Sequence, residues 1–364
     1  MTDHHKVYTK VLKTLKGIMR LSHPGHVTTL AMMITGIVMS RKAQLSTMSA
    51  EAPVEAKEKS IEMRLRRWVK HEKIEVEAIY LPFAQQILEA LSFLPLVLVM
   101  DGSQIGRGCM VLMIGVLYKK RALPLTWVVY QGKKGHTTAQ RHIEALEKVL
   151  PLLPAESEVV LLGDAEYDTT EMILWLQEKT NWRFVLRTSP QIYVQDGENS
   201  QPIDAYPLQK GCVFQRSNIG FTQKSRVSVN LIGWWGSRHE KPIYLVSNIA
   251  NAYLACKYYR RRFQIETFFS DQKSRGFHIH KSHLAAPVRL SRMLIAACLA
   301  YVWIISQGIS VLASKQSGLI DRSDRVDKSL FRLGLDWIKY VLKKNLDFEP
   351  SFRFQTFESI VNVR

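Results

Sequence analysis

Four residues on the C-terminal side of the chain combine types and spacings that could do chemistry. Tyr259, Arg262, Glu266 and Lys273 are separated by two, three and six residues. On one continuous α-helix, at about 100° per residue, their side chains would share a stripe about 60° wide. A carboxylate among cations and a phenol on such a stripe suits a site that holds a metal ion and a polyanion together. The ordinary alternative is a charged helix face that is simply solvated. That alternative does not predict partner carboxylates elsewhere in the chain.

Two further carboxylates lie upstream, each at the end of a short apolar run. Residues 97–100 lead directly into Asp101, and residues 159–163 lead directly into Asp164. Continuous apolar runs of this length are typical of strands that are buried on both faces. Carboxylates that end two central strands can meet a third carboxylate on a packed helix. Taken alone, an aspartate after an apolar run is as often a helix cap or a turn former.

Carboxylates that meet at one point repel one another unless a divalent cation neutralises them. The set predicted to converge is Asp101, Asp164 and Glu266. Mg²⁺ fits this set best, because it takes a few carboxylates and keeps water molecules and substrate phosphate oxygens as its other ligands. The three residues therefore predict metal-assisted chemistry on a phosphate-containing substrate.

Together these motifs resemble the DDE transposases of bacterial insertion sequences, of the type marked by a Y-R-E-K signature. The resemblance covers the chain from Asp101 to Lys273 by motif and order. It implies an RNase H-like (retroviral-integrase-like) catalytic core, in which Asp101, Asp164 and Glu266 bind two Mg²⁺ ions, or Mn²⁺ in their place. It also implies that the other signature residues contact DNA at the transposon end, namely Tyr259, Arg262 and Lys273.

One tract departs from the family pattern. The family often has an aromatic residue shortly after its second aspartate, preceded by a basic residue and a glycine, whereas residues 165–168 here are Ala-Glu-Tyr-Asp. Tyr167 fits that pattern, and the acids beside it offer alternative ligands. We predict Asp164 as the metal ligand because it directly follows the strand. Asp168 is predicted to be the N-cap of a helix near residues 170–178.

The composition agrees with a nucleic-acid enzyme. The chain has 364 residues, and 50 Lys and Arg against 32 Asp and Glu give a net charge of +18. Such an excess attracts phosphates strongly and in a salt-sensitive way, without specifying sequence. A basic protein can also bind a membrane surface, but the sequence has no lipidation motif and no strongly basic amphipathic terminus. The 4 cysteines are scattered, which argues for a reducing compartment and against a disulfide framework or structural zinc.

The periodicity of the chain changes from helical to strand-like after residue 90. We predict a helical N-terminal DNA-binding domain over 1–90, an RNase H-like α/β catalytic domain over 91–315 and a C-terminal helical region over 316–364 that could serve dimerisation. We also predict a β-rich insertion at about 188–250, before the catalytic helix, because this segment is too long for an ordinary loop. Helices are predicted over 7–19, 28–40, 60–70, 82–91, 138–150, 170–178 and 329–342, and strands over 94–100, 109–118, 123–130, 159–163, 183–187, 192–194, 226–231 and 242–246.

Other candidate DNA contacts lie in the predicted insertion and in the N-terminal domain. In related transposases the insertion helps to bind the DNA end and to accommodate a flipped base. Trp234 and Trp235 are therefore candidates for stacking on an extruded base, although one of them is expected to pack in the core of the insertion. Arg64 and Arg67, beside Trp68, are candidate phosphate contacts. The alternative is a solvated helix with Trp68 in the core.

An apolar tract at residues 293–313 carries no charged side chain and is long enough to span a bilayer. It contains Gln307 and Ser310, which are costly when they face lipid. We predict a core helix that covers the sheet beside the Glu266 helix. The expected location is then the cytoplasm, with the protein on the nucleoid when it is bound to DNA and without a membrane partner.

The sequence therefore predicts a DNA transposase that binds transposon inverted-repeat ends and catalyses metal-dependent cleavage and strand transfer by a cut-and-paste route. Its predicted partners are double-stranded DNA, as terminal repeats and as target, and a second copy of the chain on that DNA. No covalent protein–DNA intermediate is needed, so Tyr259 is not predicted to be a nucleophile. One alternative is an RNase H-like nuclease without strand transfer, and another is a non-catalytic end-binding regulator.

Overall fold

The computed structural model describes residues 2–19, 23–133, 135, 137–223 and 227–352. These residues form an α/β structure, in which ten strands make one mixed sheet flanked by helices. The predicted fold class is confirmed. The core strands are β1 Leu96–Gly106, β2 Cys109–Tyr118, β3 Arg121–Gln131, β4 Val159–Gly163 and β5 Arg183–Thr188. Their order in the sheet is β3-β2-β1-β4-β5.

The core strands combine an antiparallel meander with two parallel neighbours. β1, β2 and β3 pair antiparallel, whereas β4 lies parallel to β1 and β5 lies parallel to β4. Every residue of β2 and β4 is buried, which explains why both read as unbroken apolar runs rather than as alternating patterns. The parallel register places Asp101 level with Asp164, although β1 continues to Gly106 and does not end before Asp101 as the sequence predicted.

The predicted insertion continues this sheet instead of forming a separate one. Its strands are β6 Tyr193–Asp196, β7 Asn199–Pro202, β8 Val213–Phe221, β9 Val227–Trp234 and β10 Ile243–Ser247. They extend the sheet from β5 in the order β10-β9-β8-β6-β7. The Ser247 hydroxyl donates to the Phe184 carbonyl at 2.6 Å and fixes β10 beside β5. Arg226, the first residue of a predicted strand, lies outside the described residues.

Five helices precede the sheet: α1 Asp3–Ile18, α2 Pro24–Ser40, α3 Leu45–Ala50, α4 Glu58–Lys70 and α5 Val76–Leu91. The short α3 was not predicted. It packs closely on α2 at Gly36, where an added Cβ would lie 2.8 Å from Met48. α5 begins before Pro82, because buried Ile79 and Tyr80 continue its apolar face. One cluster of buried apolar residues joins these helices to the sheet, and the domain limits at 90 and 315 stay predictions.

The remaining helices are α6 Ala139–Glu147, α7 Thr170–Lys179, α8 Ala252–Arg260, α9 Gln264–Gln272, α10 Pro287–Ala313 and α11 Leu330–Lys343. Among the described residues, α10 is the one helix long and apolar enough to cross a membrane, and 94% of its most apolar window is buried inside the protein. It contacts α2, α4, α5, α11 and β3. Arg292 on α10 donates to the carbonyls of Val69 and Ile74, and Gln307 donates to that of Glu349. α10 is therefore the core helix that the sequence predicted.

Candidate active site

The parallel pairing of β1 with β4 brings two of the predicted site residues together. Val99 pairs with Leu162, so Asp101 and Asp164 each lie two residues beyond a paired position and point to the same side of the sheet. Asp101 is 4% exposed, and its carboxylate accepts a hydrogen bond from the Gly102 amide at 2.8 Å. Asp164 is half-buried and accepts one from the Ala165 amide at 2.9 Å. Each carboxylate is thus oriented by the backbone that follows it.

The signature residues do not share one continuous helix, and that prediction is wrong. α8 ends at Arg260, residues Arg261–Phe263 form a 3₁₀ turn and α9 begins at Gln264. A 3₁₀ turn advances about 120° per residue instead of about 100°, so it rotates α9 relative to α8. It turns Phe263 outward, where it is 63% exposed, and buries Arg262.

Arg262 lies between the three predicted carboxylates. One terminal nitrogen lies 3.5 Å from Asp101 Oδ2 and 3.9 Å from Asp164 Oδ2, and the other lies 2.9 Å from Glu266 Oε1. Glu266 is in the first turn of α9, one helical turn after Arg262. Burial alone would lower the pKa of Arg262, but Tyr259 and the three acids hold that pKa above its ordinary value. The carboxylates therefore converge, as predicted, and they do so on a protein cation.

The acids around Arg262 are spaced for a guanidinium. Within the described residues, no three His, Cys, Asp or Glu side chains lie close enough to ligate one ion together. The guanidinium is planar and extended, so it holds the acids farther apart than a compact ion would. The chemistry of the donor set, three hard oxygen ligands around a single positive centre, nevertheless fits a divalent cation.

Tyr259 and Lys273 flank this cluster. Tyr259 is buried, and burial raises the pKa of its hydroxyl to about 12. Its ring centroid lies 5.7 Å from the Arg262 guanidinium carbon. Lys273 directly follows α9, and its ammonium donates to the Ser103 hydroxyl at 2.6 Å. Because Ser103 is on β1, two residues after Asp101, Lys273 brings positive charge to the same strand.

Comparison with known protein families identifies the family of the chain. The sequence pattern of the family described as transposase DDE domain matches residues 97–303. The chain belongs to the DDE transposase family. The transposase is thus a member of a class of enzymes that carry out metal-dependent phosphoryl transfer on DNA.

Two further comparisons complete this finding. No curated protein matches the transposase. Among solved structures, a cryo-EM structure of a piggyBac transposase synaptic complex with hairpin DNA is similar over 94% of this chain and 78% of that chain, with a TM-score of 0.46 and 11% sequence identity.

The transposase has a second cation at the site that sequence reasoning missed. A terminal nitrogen of Arg187 lies 3.7 Å from Asp164 Oδ1. Arg187 is on β5, and the parallel register that pairs Gly163 with Leu186 places it beside Asp164. The signal was present in the sequence, as one of the two arginines of the otherwise largely apolar strand β5. It could be read only once β4 and β5 were known to be neighbours.

Behind the two aspartates, Tyr167 and His142 form a buried pair of rings. Their centroids are 4.7 Å apart, with an edge-to-face angle of 67°. Burial raises the pKa of Tyr167 well above its ordinary value, and the negative charge of Asp101 is the second cause of this rise. Burial lowers the pKa of His142 to about 4. Both rings are therefore neutral near pH 7 and give the aspartates a rigid, weakly polar backing.

Asp168 has a different position from the one predicted. The N-cap of α7 is Thr169, whose hydroxyl accepts a hydrogen bond from the Met172 amide at 3.3 Å. Asp168 lies one residue earlier and is buried, and this burial raises the pKa of its carboxyl to about 6. It forms no ion pair with Arg262 or Arg187 among the described contacts. Asp164 is accordingly the acid of this tract that joins the cluster.

Of the two predicted stacking residues, Trp234 lines a groove on the insertion side of α8, whereas Trp235 does not line it. Trp234 is 6% exposed, and Arg260 lies over its ring at 4.6 Å. The Trp235 indole donates to the His239 carbonyl at 3.1 Å. The groove has a volume of about 880 Å³ and is lined on one side by Tyr253. Tyr253 is 73% exposed, and it is the available aromatic surface of the groove that the sequence analysis overlooked.

The two N-terminal arginines lie on α4, on a different helix from the carboxylate cluster. Arg64 donates to the hydroxyls of Thr28 and Thr29 at 2.7 and 3.0 Å, which ties α4 to α2. Arg67 is exposed. Trp68 is buried and donates to the His26 carbonyl at 3.1 Å. Arg64 is exposed as well, so both arginines stay candidate phosphate contacts.

Proposed function

We propose that this transposase binds the inverted-repeat ends of a transposable element of the insertion-sequence type and catalyses cut-and-paste transposition. The observation that carries the proposal is the convergence of Asp101, Asp164 and Glu266 on one positive centre. Acidic residues gathered from two strands and a helix in this way form a typical ligand set for Mg²⁺ at a phosphoryl-transfer site.

Asp101, Asp164 and Glu266 are in this proposal both the catalytic residues and the ligands of two Mg²⁺ ions, or of Mn²⁺ in their place. When bound, such ions activate the attacking oxygen and stabilise the leaving oxygen of an in-line displacement, which makes the transposase an endonuclease and a strand-transfer enzyme. Asp101 is the most enclosed of the three, and Glu266 is the most accessible to an incoming DNA strand.

The residues around the acids supply DNA contacts and exclude a covalent route. Tyr259 keeps its proton near pH 7, because the pKa of its hydroxyl is about 12, so it is suited to donate to a phosphate and not to attack one. Arg262 and Lys273 are the cations of the signature that contact the DNA end. Arg187 adds positive charge on the Asp164 side. The net charge of +18 supplies the non-specific part of the affinity.

The groove beside α8 is the proposed place for a base that leaves the duplex at the DNA end. Cations line it at Arg238, Lys257 and Arg260, and Tyr253 offers an exposed ring. A stacked aromatic together with phosphate-binding cations is the usual means of holding an extruded base. Trp234 lines that groove, Trp235 follows it in the chain, and both are proposed to help hold the base. Arg64 and Arg67 are proposed to contact DNA farther along the duplex.

The proposal is tested with the full chain and a plasmid that carries the DNA flanking its coding region on both sides of a marker. Excised marker DNA joined to a target plasmid in the presence of Mg²⁺ supports transposition. Nicked or linear DNA without joined products would indicate a nuclease instead. Binding of the flanking DNA without any cleavage would indicate an end-binding regulator. Light scattering of the DNA complex tests the proposed homodimer.

A further inference from the structure

The position of Arg262 conflicts with two proposed roles: the contact of Arg262 with DNA, and the binding of metal ions by the acids around it. A residue that contacts DNA has to reach a phosphate, yet the Arg262 side chain is 11% exposed and is enclosed by three acids. A metal site has to leave the carboxylate oxygens free for the ion. In this structure those oxygens face the guanidinium instead, and within the described residues they make no cluster tight enough for an ion.

Arg262 is well held where it lies. Its 2.9 Å contact with Glu266 joins residues one helical turn apart, which is a favourable spacing for an ion pair. The Tyr259 ring supports the guanidinium from another side, with a separation of 5.7 Å. Without a cation among them, the three acids would raise one another's pKa and destabilise the fold. The guanidinium therefore supplies the counter-charge that the protein needs in the absence of a metal ion.

A divalent ion and the guanidinium compete for the same oxygens. Both are positive and both need Asp101, Asp164 and Glu266, so an ion can bind tightly only after Arg262 has moved away. A guanidinium leaves such a site at low cost when another anion accepts it, and a DNA phosphate is a good acceptor because it matches the planar fork of donors. Arg262 lies in the turn that separates α8 from α9, and the transfer requires its side chain to rotate away from the acids.

We propose that Arg262 is an exchangeable internal counter-ion, which neutralises the carboxylates of the free protein and transfers to a DNA phosphate when DNA binds. Bound DNA then increases the affinity for metal ions, and bound metal increases the affinity for DNA by the same factor. The two effects are equal because both express one coupling free energy. The DNA-free protein therefore binds divalent ions weakly. This inference rests on the proposed metal-dependent function of the same three acids.

The first test measures Mn²⁺ binding to the full chain without DNA, from the electron paramagnetic resonance signal of free Mn²⁺. Arg262→Gln should bind Mn²⁺ about tenfold more tightly than the wild type, within the usual range of such couplings. The matched control is Arg260→Gln, which removes the same charge two residues before Arg262. The Arg260 guanidinium stacks on Trp234. The control should bind Mn²⁺ like the wild type. Equal or weaker binding by Arg262→Gln would overturn the proposal.

A second test uses thermal unfolding as a readout of the same exchange. In EDTA, Arg262→Gln should unfold at a lower temperature than the wild type, because its acids lack a counter-charge. Saturating Mn²⁺ should then raise the unfolding temperature of the variant more than that of the wild type. An equal rise in both proteins would mean that Arg262 does not compete with the ion.

The third test needs no variant and stands even if Arg262→Gln does not fold. Mn²⁺ binding to the wild type is measured with and without a short random-sequence duplex, after subtraction of the Mn²⁺ that the duplex binds alone. The duplex should tighten Mn²⁺ binding by the protein, and unchanged or weaker binding would refute the coupling. Joined products in the transposition assay together with uncoupled binding would refute only the exchange. Coupled binding without joined products would refute only the proposed function.

Discussion

Asp101 and Asp164 are close to each other because β1 and β4 pair in parallel, and Glu266 joins them because α9 packs against β1 and β3. Neither aspartate is special in its local sequence. Their common position follows from the register of two strands, and the buried backing of Tyr167 and His142 keeps that position rigid. At the scale of single residues, the site is a set of charges whose separations are fixed by backbone elements.

Removal of one carboxylate charge at a time should abolish catalysis and spare DNA binding. Asp101→Asn, Asp164→Asn and Glu266→Gln keep the side-chain size, and each should lower nicking and joining by about a thousandfold, because several kcal/mol of metal stabilisation are lost. End binding in a gel-shift assay should change little, since the positive charge is spread over many residues. The control is Asp168→Asn, which should stay active. If Asp164→Asn were active and Asp168→Asn inactive, the second acid of the site would be Asp168 and not Asp164.

The signature cations should appear in the salt dependence of DNA binding. Lys273→Ala and Arg262→Ala should each lower the slope of log affinity against log salt by about one phosphate contact. Fluorescence anisotropy at several salt concentrations measures that slope. Ser103→Ala is the matched control for Lys273, because it removes the 2.6 Å hydrogen bond and keeps the cation. A slope that changes in Ser103→Ala but not in Lys273→Ala would assign the lysine to structure alone.

Asp168 should make stability depend on pH. Burial raises the pKa of its carboxyl in the folded state to about 6 from 3.8, so the folded protein binds this proton more tightly than the unfolded chain does. The free energy of unfolding should therefore fall as pH rises from about 4 to about 6, by up to about 3 kcal/mol from this group. Urea unfolding of metal-free Asp168→Asn should show a smaller fall over that window. Parallel curves for wild type and variant would contradict the expectation.

At the scale of elements, the position of Glu266 depends on how α9 is fixed. A buried ion pair joins Asp271 on α9 to Arg121 on β3 at 3.1 Å. The Asp271 carbonyl also accepts a hydrogen bond from the Phe277 amide at 2.9 Å. Burial raises the pKa of Asp271 to about 6, in spite of the opposing effect of Arg121. This pair lies one and a half turns beyond Glu266, so it holds the catalytic helix to the sheet.

The contact between α10 and α11 is close enough to require glycine. An added Cβ at Gly334 would lie 1.9 Å from the Ile304 carbonyl oxygen. Gly334→Ala should therefore push the helices apart and lower the free energy of unfolding by about 1–3 kcal/mol, as overpacking of a core does. Chemical unfolding measures the change. Gly318→Ala is the control, because its Cβ would meet its nearest atom at 3.6 Å, and a similar loss in both variants would refute the packing argument.

At the scale of the whole molecule, one apolar core and one sheet connect the regions that the sequence suggested were separate. The insertion strands continue the catalytic sheet through β10, and buried residues of α1 and α2 belong to the same cluster as those of α10. The groove beside α8 therefore has a fixed relation to the carboxylate cluster. In the proposed function, a DNA end bound in the groove is held in register with the carboxylate cluster.

The burial of α10 predicts how the protein fractionates, and with it the proposed cytoplasmic location. The intact chain should be recovered in the soluble fraction without detergent, because α10 buries its apolar surface against protein and its polar Arg292 and Gln307 have protein partners. Such side chains are costly when they face lipid. Differential centrifugation with carbonate extraction measures the distribution. Recovery in a carbonate-resistant membrane fraction would overturn this prediction.

Much of the fold and the acidic triad could be predicted from the sequence because their signals are local. Apolar runs define β1, β2 and β4 whatever they pair with, and the acids that directly follow the runs 97–100 and 159–163 marked Asp101 and Asp164 as candidates. Helical periodicity located α1, α2, α4 and α11 to within a few residues. The order of these elements agreed with an RNase H-like sheet, and the Y-R-E-K motif with the two upstream aspartates carried the resemblance to the family to which the chain belongs.

Other features depended on contacts between distant parts of the chain. The 3₁₀ turn that buries Arg262 places its guanidinium among three acids, which come from β1, from the residue after β4 and from α9, and a helical wheel contains no such contact. The role of Arg187 required the register of β5, and the exposure of Tyr253 required the tertiary structure around α8. The sequence by itself determined which residues carry charge and which segments are apolar. Only the tertiary structure decided which charges meet, because electrostatic attraction and burial act between residues that are far apart in the chain.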